Sequence, residues 1–156
     1  MGQPVVVEPF CSHVVLEIYS LIGTNAKFDE FVTAHRWAVL TSLRKRGMPA
    51  STLIAYARDG DTLIVSTPGS TFKRRSLERD PRVNICCITD AAPFNFVTVE
   101  GKATVEKADL VAMTKKVFAN ISSSGYTEPE NLQTWLDTQD RVILRVHPER
   151  VYGVIR

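Results

Sequence analysis

The chain has 156 residues, of which 44% are hydrophobic and 23% charged, and this size and composition predict one soluble globular domain with its own hydrophobic core. Its 19 basic and 17 acidic residues give a formal net charge of +2, which is too balanced for a protein whose main partner is nucleic acid. Any anion binding must therefore depend on local clusters of charge.

The first 24 residues predict no definite structure. Residues 1–12 are expected to form a loose arm, and the apolar segment 14–21 is compatible with either a helix or a strand. Glu17 and Ser20 interrupt the apolar stretch, and no basic region precedes it. Neither a signal peptide nor a membrane-spanning segment is therefore expected.

From Asn25 onwards the sequence predicts one helix followed by three strands. Asn25 is a suitable N-cap, and Phe28, Phe31 and Val32 form one apolar face of a helix that should end near His35. Strands are expected at residues 37–43, 50–57 and 62–67, joined by turns at 44–47 and 58–61.

The second half of the chain mixes strands with short helices. Ser70 or Thr71 is expected to cap a short helix that runs through Leu77 and stops before Pro81. Further strands are expected at residues 83–89, 96–105, 141–146 and 150–154, and further helices at 109–121 and 130–139. Six or seven strands in this order predict a mainly β, antiparallel barrel rather than a wound parallel sheet.

A cluster of hydroxyls and one lysine marks the start of that short helix. Unpaired N–H groups and a partial positive charge make a cation unfavourable there unless an anion is bound. Lys73 lies in this unfavourable position, and a phosphate held by its ammonium and by the hydroxyls of Ser66, Thr67, Ser70 and Thr71 would explain it. On these residues alone, a solvated basic helix face is the commoner explanation.

Other chemistries find little support in the sequence. The glycines form neither a dinucleotide fingerprint nor a P-loop. His13, His35 and His147 are too far apart to predict a metal site. The three cysteines, Cys11, Cys86 and Cys87, are expected to be reduced thiols of a cytoplasmic protein, and at least one of the adjacent pair should be a core residue. A bound cofactor is therefore the expected source of the chemistry.

Four segments together carry a resemblance to a known family: WAVLTS at residues 37–42, GMPAS at 47–51, KRRSLERDPRV at 73–83 and VEGKATV at 99–105. Their order and spacing resemble the pyridoxamine 5'-phosphate oxidase-like superfamily over residues 35–155, and more narrowly its reductases that use the deazaflavin coenzyme F420. The resemblance implies a split β-barrel, FMN-binding-like in fold. It also implies a homodimer with two cofactor sites between the subunits and no membrane partner.

The resemblance also assigns roles to residues. Lys73 matches the lysine that holds the cofactor phosphate, in a loop shared with Thr71 and Phe72. Ser66 and Thr67 match the strand end beside the cofactor ring. The strand against which the ring packs is matched by Ser51, Thr52 and Leu53. An aromatic stretch contributed by the partner subunit is matched by Phe94, Asn95 and Phe96.

One departure from the family concerns the phosphate. Relatives carry an arginine where this chain has Thr71, and Arg74, Arg75 or the basic turn 44–46 would have to compensate. The expected reaction is hydride transfer from reduced coenzyme F420 to a small electron-poor quinone-, enone- or tetrapyrrole-like substrate, with FMN as the alternative cofactor. No catalytic residue is assigned, since Tyr56, Ser51 or solvent could each supply a proton. A non-catalytic flavin- or tetrapyrrole-binding module and a dimeric scaffold are the alternative functions.

Overall fold

A computed structural model describes residues 21–156, so the expectations for residues 1–20 lie outside the described part. The first element is helix α1, Ala26–Ala34, whose N-cap is Asn25 as expected: the Asn25 side chain accepts a hydrogen bond from the Lys27 N–H. Phe31 and Val32 are buried on its apolar face. The helix ends at His35, where the backbone turns extended to enter the sheet.

Seven antiparallel strands form one curled sheet. They are β1 Trp37–Leu43, β2 Pro49–Ala55, β3 Ala57–Asp59, β4 Thr62–Thr67, β5 Arg82–Ile88, β6 Phe96–Glu106 and β7 Val142–Val154. Their order across the sheet is β2-β1-β5-β6-β7-β4-β3. Strand β2 also approaches β4, which is distant from it in this order, so the sheet curls into a half-barrel. The predicted split barrel is confirmed.

Alternating burial along the strands places the core inside the curl. In β1, Ala38, Leu40 and Ser42 are buried, while the residues between them are partly exposed. This period of two is what a strand with one face on the core requires. The adjacent cysteines follow the same rule: Cys87 is buried and Cys86 is not. Burial raises the pKa of the Cys87 thiol to about 12, so Cys87 is a core residue and not a nucleophile.

Two of the predicted strands are divided differently from expectation. The strand expected at residues 50–57 breaks at Tyr56, whose N–H donates to the carbonyl of Arg36 (3.1 Å) and whose carbonyl accepts from the Asn120 side chain (2.7 Å). These bonds satisfy the backbone at a bend. Strand β2 pairs with β1 up to this bend. After the bend the chain continues as β3, which pairs with β4.

The two strands expected at residues 141–146 and 150–154 are one strand, β7. Pro148 removes a ladder donor, but it lies opposite Gly101 at a register shift between Glu100 and Gly101. A Cβ added at Gly101 would lie 2.0 Å from the carbonyl oxygen of His147. The glycine and the bulge therefore let β6 and β7 continue past the proline.

Three more helices flank the sheet: α2 Phe72–Arg79, α3 Leu110–Ile121 and α4 Leu132–Thr138. Helix α3 packs against β4 and α4, and α2 packs against β1 and β6. None of the helices within residues 21–156 is long and apolar enough to span a bilayer.

Candidate functional site

The loop between β4 and α2 forms the start of the candidate site. Thr71 is the N-cap of α2, as predicted, but its side chain makes no capping hydrogen bond. Its hydroxyl lies instead 3.3 Å from the hydroxyl of Thr67, at the end of β4. No acidic residue lies in the first turn of α2. The positive end of this helix therefore carries Lys73 without a side-chain cap or an acidic residue in its own first turn.

A second cation, Arg141, lies on the segment that contacts the loop before Lys73: Arg141 donates to Ser66 at the end of β4, and the Gly69 N–H donates to Gln139. Burial, and secondly the charge of Arg141, hold the pKa of Lys73 below its ordinary value. Burial likewise lowers the pKa of Arg141 to about 10. Within residues 21–156, neither side chain forms an ion pair with a carboxylate. Two half-buried cations without a carboxylate partner are a favourable place for an anion.

Gly69 brings the two cations together. Its N–H donates to the carbonyl of Gln139 (3.3 Å), which joins the β4–α2 loop to the segment before β7. A Cβ at Gly69 would lie 2.4 Å from the backbone oxygen of Asp140 and 2.7 Å from its Oδ2. Only glycine permits this approach.

Arg141 is held in place by several contacts. Its Nε donates to the Ser66 hydroxyl (3.2 Å) and its Nη2 to the Ser66 carbonyl (3.0 Å). Its Nη1 donates to the side chain of Gln139. The guanidinium also lies 4.0 Å from the ring centroid of Trp135. The sequence analysis did not identify Arg141, because residues 66 and 141 are distant in the chain and no motif links them.

The basic residues expected to compensate for Thr71 already have other contacts. Arg74 forms an ion pair with Glu78 (2.8 Å), and Arg75 donates to the carbonyl of Ser70. Arg44 lies over the ring of Phe72, 4.9 Å from its centroid. Arg141 is the cation whose segment contacts the loop before Lys73.

The predicted ring-binding residues of β2 divide between the two faces of the sheet. Ser51 and Leu53 are exposed, and the Ser51 hydroxyl lies 2.8 Å from that of Thr41. Thr52 points to the opposite face, as strand alternation requires, and its hydroxyl is buried without a hydrogen-bond partner. The side chains of Ser51 and Leu53 therefore share a face that is open to a ligand, whereas the side chain of Thr52 lies on the other face.

Phe94 and Asn95 lie far from Lys73 of the same chain. Helix α2 leads into the start of β5, whereas Phe94 and Asn95 follow the end of β5. The seven residues of this strand span about 20 Å. Phe94 is two-thirds exposed. The Asn95 side chain accepts from the N–H of Arg156 (3.0 Å). Their contribution from a partner subunit stays a prediction.

Tyr56 is not placed to donate a proton to a ligand. It is fully buried in the core, and its hydroxyl donates to the carbonyl of Val32 at 2.6 Å. Burial raises the pKa of the phenol far above its ordinary value.

Two pockets open on this side of the sheet in the described part of the chain. One, of about 240 Å³, lies between the sheet and helices α3 and α4 and includes Ser66 and Arg141 in its wall. The other, of about 660 Å³, is more open and includes Leu53 and Ile88. Trp37 and Tyr126 line both pockets, so the two are neighbours.

Solved structures with the same fold include an F420 reductase, with a TM-score of 0.68 and 22% identity over 83% of this chain and 98% of the other. A putative pyridoxamine 5'-phosphate oxidase from Listeria innocua matches with a TM-score of 0.63 and 20% identity, covering 82% and 95% of the two chains. The heme storage protein HutZ from Vibrio cholerae matches with a TM-score of 0.62 and 18% identity, covering 81% and 91%. At these identities the similarity establishes the fold alone.

No curated protein sequence is significantly similar to this chain. The sequence profile of the family described as pyridoxamine 5'-phosphate oxidase, however, matches residues 24–155, nearly the whole described part. The chain therefore belongs to the pyridoxamine 5'-phosphate oxidase family.

Proposed function

We propose that this protein binds reduced coenzyme F420 by its phosphate and transfers a hydride to a small electron-poor organic substrate. The observation that carries the proposal is the contact between the β4–α2 loop and the segment before β7, which brings two half-buried cations without an ion-pair partner among the described residues, Lys73 and Arg141, to the start of α2. The structural likeness to an F420 reductase adds support for the choice of cofactor.

The donors at this site suit a phosphate. Lys73 supplies a point charge, and the hydroxyls of Thr67 and Thr71, 3.3 Å apart, lie in the loop that leads into its helix. The uncapped N–H groups of α2 add oriented donors. Coenzyme F420 also carries an oligoglutamate tail, and the exposed basic turn at residues 44–46 is a nearby source of charge for its carboxylates.

When bound, the cofactor would supply the hydride. The task of the protein would then be to position the two reactants at contact distance, with Ser51 and Leu53 supporting the ring from the exposed face of β2. The hydride would reach a carbon of a C=C or C=O bond, and solvent would deliver the proton that completes the reduction. Buried Tyr56 and Cys87 take no part in it.

We further propose a cytoplasmic homodimer with cofactor sites between the subunits. Large apolar side chains at Leu53, Ile88, Phe94 and Tyr152 are exposed, and a second copy of the chain would cover them. The Phe94-Asn95 stretch of one subunit would then reach the ring site of the other. A mass in solution of about twice 17.4 kDa is expected, and a monomer at micromolar concentration would remove the basis for an intersubunit site.

Titration with several cofactors tests the proposal. Reduced coenzyme F420 should bind with micromolar or tighter affinity, whereas NADH and NADPH should not bind, since no dinucleotide fingerprint is present. Tight binding of FMN without binding of the deazaflavin would favour an FMN-dependent oxidoreductase of the same fold. Binding of a tetrapyrrole with no turnover of either flavin would favour a non-catalytic binding module.

A further inference from the structure

The 240 Å³ pocket beside Arg141 has an unusually aromatic wall. Trp37, Phe118, Tyr126 and Trp135 all line it, and their rings are arranged in two pairs. The centroids of Trp37 and Tyr126 are 5.9 Å apart, and those of Phe118 and Trp135 are 5.7 Å apart. Such walls favour a flat, apolar ligand that can contact the faces and edges of the rings.

One end of the pocket is polar and cationic. The Ser66 hydroxyl accepts a hydrogen bond from Thr114 (3.1 Å), and the guanidinium of Arg141 lies beside it. A guanidinium has five N–H donors, and the three hydrogen bonds of Arg141 leave two unused. Unused donors on a half-buried cation at the end of an aromatic pocket match a carboxylate at one end of a flat molecule.

The size of the pocket limits the ligand. Pockets for drug-sized molecules have volumes of roughly 300–1,000 Å³, and this one is smaller. A ligand with one or two rings is therefore expected.

We propose that this pocket binds a planar aromatic carboxylate of one or two rings, with its carboxylate on Arg141 and its rings between the aromatic side chains. The binding needs no cofactor, since the two unused Arg141 donors hold the carboxylate whereas Lys73 and the N–H groups of α2 would hold the cofactor phosphate. We also expect this ligand to be the hydride acceptor, because Arg141 joins the pocket to the Lys73 site. This role rests on the proposed function.

The probe is 2-naphthoate, titrated into the cofactor-free full chain by calorimetry. The chain has two tryptophans and both line the pocket, so ¹⁵N-labelled protein has two indole N–H signals that report its occupancy. Both signals are expected to shift with saturation. Naphthalene-2-methanol, which has the same rings and no charge, should bind about tenfold more weakly or worse.

Variants of the protein locate the ligand. Arg141→Gln should weaken 2-naphthoate binding about tenfold or more, and Arg141→Lys should retain part of the affinity because it keeps the charge. Ala55→Leu narrows the pocket from the β2 side and should abolish the indole shifts. Arg79→Ala is the matched control, since it removes a cation of α2 that does not line the pocket and should change the affinity by no more than about twofold.

Several results would overturn the proposal: no binding, binding without a shift of either indole signal, or equal affinity for the alcohol. Loss of 2-naphthoate binding in Lys73→Ala would place the probe in the phosphate site instead. If Arg141→Gln fails to unfold cooperatively, the Lys variant and Ala55→Leu decide the question. Failure of coenzyme F420 to bind would remove only the acceptor role.

Discussion

Replacing Lys73 by alanine tests the phosphate site most directly. Lys73 lies in the first turn of α2, where its charge opposes the helix dipole, and it has no ion-pair partner within residues 21–156. Alanine suits a helix at least as well. The substitution should therefore leave the unliganded fold as stable as before, or slightly more so, while removing a charged ligand of the phosphate.

The expected loss of cofactor affinity is roughly 1.5–3 kcal/mol, the scale of a hydrogen bond to a charged group. At about 1.4 kcal/mol per factor of ten, this corresponds to about tenfold to somewhat over a hundredfold weaker binding. Arg141 would remain at the site, so the loss should not be complete. The dissociation constant of reduced coenzyme F420 is to be measured by fluorescence titration at low and physiological ionic strength, because salt screens the basic loop.

Arg79→Ala is the matched control on the same helix. Arg79 lies in the last turn, where its charge suits the helix dipole, and its guanidinium donates to the carbonyl of Leu43. The variant should lose about 0.5–1.5 kcal/mol of stability and little affinity. If Lys73→Ala binds the cofactor like the wild type at every salt concentration, the basic loop is only a solvated surface and the site lies elsewhere in the barrel.

Two further predictions concern the same cluster. The contribution of Lys73 to the free energy of unfolding should rise as pH increases towards the ordinary pKa of lysine, because the folded form, with the lowered pKa of Lys73, releases that proton before the unfolded chain does. Buried Cys87 and Tyr56, whose pKa values are raised, act in the opposite direction in both the wild type and Lys73→Met. In denaturant titrations from about pH 8 to about pH 11, the free energy of unfolding of the wild type should therefore rise relative to that of Lys73→Met. Gly69→Ala should destabilise the fold by about 1–3 kcal/mol and also weaken cofactor binding, because the added Cβ would push Asp140 and hence Arg141 away. Unchanged thermal stability and affinity would show that the close approach of Gly69 to Asp140 is unimportant.

Local sequence signals predicted most of the elements. The expected strand at residues 37–43 matches β1, because a short run that begins with four apolar residues is followed by a basic turn. Helix α1 begins at the predicted cap, Asn25. In both cases the deciding information lies within a few residues of the boundary.

The predictions were wrong where contacts between residues far apart in the chain determine the local structure. Tyr56 continues the β pattern of β2, yet a bend occurs there because Asn120 of α3 and Arg36 satisfy its backbone. Pro148 indicates a strand end, yet β7 continues because Gly101, far away in the chain, leaves room for the His147 carbonyl and Glu149 bulges out of the pairing. A local pattern cannot reveal which remote group will satisfy a backbone donor or acceptor.

The same limit explains why Lys73 was identified and Arg141 was not. Lys73 conflicts with its own helix, and such a local conflict can be recognised in the sequence. Arg141 begins an ordinary apolar strand, and nothing around it is unusual until Gly69 and Gln139 bring the two loops into contact. The cluster therefore depends on a glycine that appears in the sequence only as part of a turn. At the proposed phosphate site, Arg141 would supply the charge that position 71 lacks, because the contact of Gly69 with Gln139 brings its segment to the loop before Lys73.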